Sequence, residues 1–128
     1  MLNSNDFLAK CSKLNELGLQ LPIEIGSRVA RGFADLGYEE FYLLPANKLL
    51  SIYTAKTSDW QAEHQKFFFV VPDADQLIAA FFEQGIEVKV NYQNLECLVK
   101  LQDQERAIEK SGQKLIDILI ESYLELKQ

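Results

Sequence analysis

Apolar residues recur along this chain with two periods, one near four residues and one of two. Phe7, Leu8, Cys11 and Leu14 fall on one face at helical spacing. Ser4 or Asn5 can cap that helix, and Gly18 is a natural stop. Pro22 suits the first turn of a second helix, in which Ile25, Val29, Phe33 and Leu36 repeat at helical spacing until Gly37. The pattern then becomes extended. Tyr38 to Leu44 and Leu49 to Ala55 are rich in aromatic and branched residues, with turn chemistry at Pro45-Ala46-Asn47-Lys48. The polar stretch Lys56 to Gln65 predicts a long loop or a loosely formed strand edge. The unbroken apolar run Phe67 to Val71 predicts a central strand buried on both faces.

Asp73 and Asp75 raise a question of chemistry that helix initiation answers. Leu77, Ile78, Phe81 and Phe82 repeat at helical spacing, so Asp73 stands at the cap and Gln76 at the third helical position, a variant capping box. Asp75 lies in the first turn, where a negative charge meets the positive end of the helix dipole. Gly85 ends this crossover helix. Ile86 to Tyr92 and Leu95 to Leu101 then alternate apolar and polar residues around Gln93-Asn94, which predicts a tight hairpin. In that register Val90 faces Cys97, Val88 faces Val99, and Glu87 lies opposite Lys100. Asp103 to Lys127 reads as one long helix. Its apolar positions Ile108, Leu115, Ile116, Leu119, Ile120, Tyr123 and Leu126 fill a continuous arc wider than the stripe of somewhat over about 100° that a helix on one sheet needs, and Ile118 and Leu124 lie outside that arc on opposite flanks.

The fold expected is α+β in a single domain over residues 1–128. It has a mostly antiparallel sheet of about five strands, two N-terminal helices, a crossover helix and a long C-terminal helix. At 48% apolar and 25% charged residues the chain can bury a core. A net charge of −6, with only three arginines (Arg28, Arg31 and Arg106) and scattered lysines, argues against nucleic acid and against an anionic membrane surface. No apolar run approaches the roughly 20 residues that span a bilayer. The N-terminal stretch, with Asp6 and Glu16, does not read as a secretory signal. Cys11 and Cys97 read as buried thiols of a reducing compartment, so the expected location is the cytoplasm.

Candidate chemistry is sparse. His64 is the single histidine, and no serine, cysteine or carboxylate stands beside it in a catalytic arrangement. Cys97 falls on the apolar side of its strand, where a thiol stays protonated. No metal-ligand spacing occurs, so no metal and no cofactor is expected. Gly26 to Gly32, GSRVARG, has the look of a phosphate cradle, but lacks the Gly-x-Gly-x-x-Gly and Gly-Lys-Ser/Thr patterns. On a helix, Arg28 and Arg31 could together bind a carboxylate. Trp60 stands in a polar stretch, either tucked under a loop or offered to a partner. Asp117, Glu121 and Glu125 form an acidic ridge at i, i+4 and i+8, an ordinary solvated face or a surface for a basic partner.

Two resemblances bear on function. From Tyr38 to Lys127 the order of elements resembles that of the secretion chaperones of type III export systems. This implies a small, acidic, dimeric cytoplasmic protein that holds an extended segment of another protein. Glu63 to Val90, EHQKFFFVVPDADQLIAAFFEQGIEVKV, is similar to a half-module of the vicinal-oxygen-chelate fold. By that similarity His64 becomes a metal ligand in a small-ligand-binding protein or metal-assisted enzyme. The residues themselves favour the first class: a non-enzymatic, partner-binding or regulatory protein, chaperone-like and homodimeric. Its contact residues are then Trp60, Ile118, Leu124, Asp117, Glu121 and Glu125.

Overall fold

The computed structural model describes residues 3–33 and 37–128, with the side chains of Phe33 and His64 outside the description. The architecture is α+β and falls into two compact units. One comprises Met1–Asn15 and Pro22–Val71, the other Glu16–Leu21 and Pro72–Gln128.

The first unit opens with α1 (Asn5–Glu16), where the Ser4 hydroxyl accepts a hydrogen bond from the Phe7 N–H at 3.1 Å. Leu8, Cys11 and Leu14 are buried, as their spacing predicts. Five strands follow: β1 (Arg28–Phe33), β2 (Gly37–Leu44), β3 (Lys48–Ser51), β4 (Thr57–Asp59) and β5 (Phe69–Val70). They form an antiparallel sheet in the order β4-β3-β2-β1-β5. The turn predicted at Pro45–Lys48 is present, with Ala46 and Asn47 in the left-handed region.

Three expectations change here. The second N-terminal helix is absent: Pro22 to Ser27 is non-helical, and Arg28–Phe33 is a strand paired on both sides. Val29 and Ala30 point to opposite faces and both are fully buried, a demand that a strand inside a sheet meets. Leu36 lies outside the described residues. The phosphate-cradle and paired-arginine readings fall with that helix. Arg28 and Arg31, three apart on a strand, point to opposite faces and meet separate carboxylates, Glu40 and Glu39. Phe67 to Val71 contributes only two strand residues, at the sheet edge rather than its centre. A 3-10 helix over Ala62–Phe67 precedes it and Pro72 follows, leaving little chain to pair. The sheet also encloses a charge. Glu40 is fully buried and accepts from the backbone and side-chain nitrogens of Asn3 at 3.1 and 3.2 Å, and from Arg28 Nε.

The second unit runs α2 (Ala74–Glu83), β6 (Glu87–Gln93), β7 (Glu96–Gln102), β8 (Ala107–Gly112) and α3 (Leu115–Leu126). Its strands form a separate antiparallel sheet in the order β6-β7-β8. The capping box is present: Asp73 Oδ1 accepts from the Gln76 N–H at 2.8 Å, and Gln76 Oε1 from the Asp73 N–H at 2.9 Å. The hairpin is present with its turn one residue later, at Asn94-Leu95, both in the left-handed region. Pair partners therefore slip by two: Val90 faces Val99, Val88 faces Leu101 and Glu87 faces Gln102. A slip of two keeps every side chain on its predicted face.

The long C-terminal helix is corrected to a strand and a shorter helix. Asp103 Oδ1 accepts from the N–H groups of Glu105 and Arg106 and folds the chain back, so Ala107–Gly112 pairs with β7. Those two bonds hold the Asp103 carboxyl below the ordinary aspartate range. α3 packs on β7 and β8, and α2 lies against α3 and β6. A Cβ on Gly112 would lie 2.3 Å from Ile118 Cδ1, so that glycine makes room for the helix. Among the described residues no helix is long and apolar enough to cross a membrane.

Candidate functional site

The feature that stands out in the second unit is an apolar cleft between α2 and the start of β6, and the way α2 is clamped creates it. Phe81 is fully buried and its ring stacks on Tyr123 of α3, centroids 4.9 Å apart and planes within 5°. The Tyr123 hydroxyl donates to Gln84 Oε1 at 3.0 Å. Burial raises the Tyr123 pKa above its ordinary value, and the bond to Gln84 pulls the other way. With Leu77, Ala80 and Phe81 committed inward, the neighbouring stripe Ile78–Phe82 turns outward. Phe82 is 79% exposed.

The end of α2 sets the opposite wall. Gly85 adopts φ +78°, its N–H donates to the Phe82 carbonyl at 3.0 Å, and the Ile86 N–H donates to the Phe81 carbonyl at 3.0 Å. This is a Schellman stop, which reverses the chain from helix directly into strand. Ile78, Phe82, Gly85, Ile86, Glu87 and Val88 thereby line a cleft of about 440 Å³. Ile86 is buried at its floor and Val88 is half-buried on its wall.

β6 is an outer strand of its sheet. In a two-residue hairpin the flanking pair Gln93–Glu96 is hydrogen-bonded, so Glu87, Lys89 and Asn91 direct their backbone groups toward β7. Val88, Val90 and Tyr92 then direct theirs away from the sheet. Val88 and Val90 are half-buried, Tyr92 is 71% exposed, and on the other face Lys89 Nζ lies 3.6 Å from Glu87 Oε1. An unpaired edge beside an exposed phenylalanine is what a protein partner uses, and what a solitary soluble unit covers or blunts. Glu87 is the one titratable residue among the described residues that line the cleft, whose other side chains are apolar.

The residues singled out from sequence fall elsewhere. Trp60 belongs to the first unit and is 8% exposed. Its backbone N–H donates to the Asn47 carbonyl at 2.8 Å and its ring meets Phe68 edge-on at 5.0 Å. The other five lie on α3: Ile118 buried, and Leu124, Asp117, Glu121 and Glu125 half-buried. Glu125 pairs with Lys110 of β8 at 2.8 Å. The Asp73 carboxylate serves the cap, and the side chain of His64 lies outside the described residues. Among the described residues no three His, Cys, Asp or Glu side chains gather as around a metal ion. The helical repeat of Leu77, Ile78, Phe81 and Phe82 does not separate Phe81, which is buried, from Phe82, which is exposed, so the cleft is not legible in that repeat alone. Adjacent helical residues diverge by 100°, and that was the available signal. Comparison with known protein families, with curated proteins and with solved structures gives no match to this chain.

Proposed function

We propose that this protein works without catalysis, by protein–protein association: a cytoplasmic, acidic homodimer that holds or regulates a protein partner in a chaperone-like manner. The observation that carries this reading is Phe82, 79% exposed at the mouth of an apolar cleft beside an outer strand. An aromatic side chain left in water while its neighbour Phe81 is fully buried marks a surface meant for cover. The net charge of −6 and the ridge Asp117, Glu121 and Glu125 support a partner with basic character, met by the half-buried carboxylates of α3. Leu124, half-buried on the same helix, extends that surface, and the buried Ile118 of α3 supports it from within; Trp60 is buried in the first unit.

Sedimentation velocity at micromolar concentration tests the homodimer. The wild-type chain is expected at twice 14.7 kDa and Phe82→Asp at 14.7 kDa, with an unchanged far-UV circular dichroism spectrum. A wild-type monomer, or a dimer indifferent to Phe82→Asp, overturns the reading.

A further inference from the structure

We propose that the outer edge of β6 pairs antiparallel with β6 of a second copy, across a two-fold axis at Val88. This rests on the homodimer reading above and gives it a place and a register.

Three observations select it. First, the backbone groups of Val88 and Val90 point away from β7, so the edge has donors and acceptors to offer. A two-fold axis through the sheet must set residues of one face opposite each other, which restricts the centre to a residue rather than a gap between residues. Second, charge separates the remaining centres. An axis at Lys89 sets Lys89 opposite itself, and an axis at Val90 sets Glu87 opposite Gln93 and Lys89 opposite Asn91. Only the axis at Val88 sets Glu87 opposite Lys89, twice, on the wet face. Lys89 already faces Lys100 of β7 on its inner side, an unfavourable neighbour that a carboxylate on the outer side offsets. Third, the axis at Val88 passes beside the cleft, so Phe82 of each copy covers the other. Every slip of two residues displaces the clefts by about 7 Å.

The bonding pattern follows from the stop of α2. The two Val88 residues exchange N–H···O=C bonds, and each Val90 N–H donates to the Ile86 carbonyl of the other copy. The Ile86 N–H does not take part, because it already donates to Phe81. The two three-stranded sheets then continue into one across the axis.

Charge reversal tests the register on residues whose side chains are 63% and 62% exposed, Glu87 and Lys89, so folding is spared. Glu87→Lys alone places lysine opposite lysine, and Lys89→Glu alone places glutamate opposite glutamate. Each is expected to raise the dimer dissociation constant about tenfold. An equimolar mixture of the two variants restores the pairs as a heterodimer, with affinity within about twofold of wild type. Under mild oxidation Val88→Cys is expected to form a disulfide-linked dimer, because Cα atoms of a hydrogen-bonded antiparallel pair lie about 5.5 Å apart. Val90→Cys is expected to stay unlinked. If the wild type is monomeric, the homodimer reading fails and the register with it. If the wild type dimerises while both charge variants are unaffected, the mixture fails to recover, or Val90→Cys links in place of Val88→Cys, this register alone is wrong.

Discussion

Replacing the leucine at the tip of the β6–β7 hairpin should stabilise the protein. Leu95 sits at φ +67° as the second residue of a two-residue turn, after Asn94 at φ +52°. That turn type demands the left-handed region at both positions, which asparagine tolerates and glycine prefers. For leucine the conformation costs about 1–2 kcal/mol, because Cβ crowds the following carbonyl. Ordinarily burial would offset part of that, but Leu95 is 99% exposed. Leu95→Gly relieves the strain and returns about 0.5–1 kcal/mol of it to the greater freedom of the unfolded chain. The net gain is about 0.5–1 kcal/mol, a rise of about 2–8 °C in the melting temperature of the second unit. The single tryptophan, Trp60, lies in the first unit, so far-UV circular dichroism rather than fluorescence is the assay. Urea titration should show a higher midpoint with an unchanged slope. A melting temperature equal to or below that of wild type would refute the reasoning, and Leu95→Ala, which keeps a Cβ, should show no comparable gain.

Other outcomes follow from the same contacts. Asp73→Ala removes one half of the capping box and is expected to cost about 1 kcal/mol by urea denaturation, with Asp73→Asn retaining most of the stability. Glu40→Ala leaves Arg28 and Asn3 without their buried acceptor. A loss of about 2–3 kcal/mol is expected, below the full value for a buried pair because the Arg28 side chain is 24% exposed. Tyr123→Phe loses the bond to Gln84 and should cost about 1 kcal/mol at pH 7. Its pH dependence has a definite sign. The folded Tyr123 pKa is raised, so this residue's contribution is complete below its unfolded value near 10 and is lost as pH climbs through the higher folded value. Urea midpoints at pH 7 and pH 11 should fall further in wild type than in Tyr123→Phe, and parallel falls would contradict this.

Elements with local causes were legible in the sequence, and those made by distant partners were not. α2 carries its start signal in Asp73 and Gln76 and its stop in Gly85, and it was read correctly. The hairpin was found because period two persists over both strands. The turn falls one residue later than the alternation predicts because Leu95, whose type favours a strand, adopts the left-handed region. β1 carries a helical signal because Ile25, Val29 and Phe33 are spaced by four. Pairing with β2 and β5, forty residues of chain away at the far end, decided otherwise. β8 holds one large apolar residue, Ile108, in six, so its alternation is invisible and it reads as the front of α3. The candidate site was hidden for a related reason. Its components are Phe82, Ile86 and Val88, ordinary core types, and only the stacking of Phe81 on Tyr123 reveals which of them is left outside.

Residue-resolved hydrogen exchange along β6 tests most directly whether this edge is where the chain associates. At protein concentrations well above the dimer dissociation constant, the Val88 and Val90 amides should exchange slowly, and protection should vanish on dilution. The Tyr92 amide points the same way but finds no partner in the register centred on Val88, and should exchange fast throughout. Rapid exchange of Val88 and Val90 at every concentration would contradict the account.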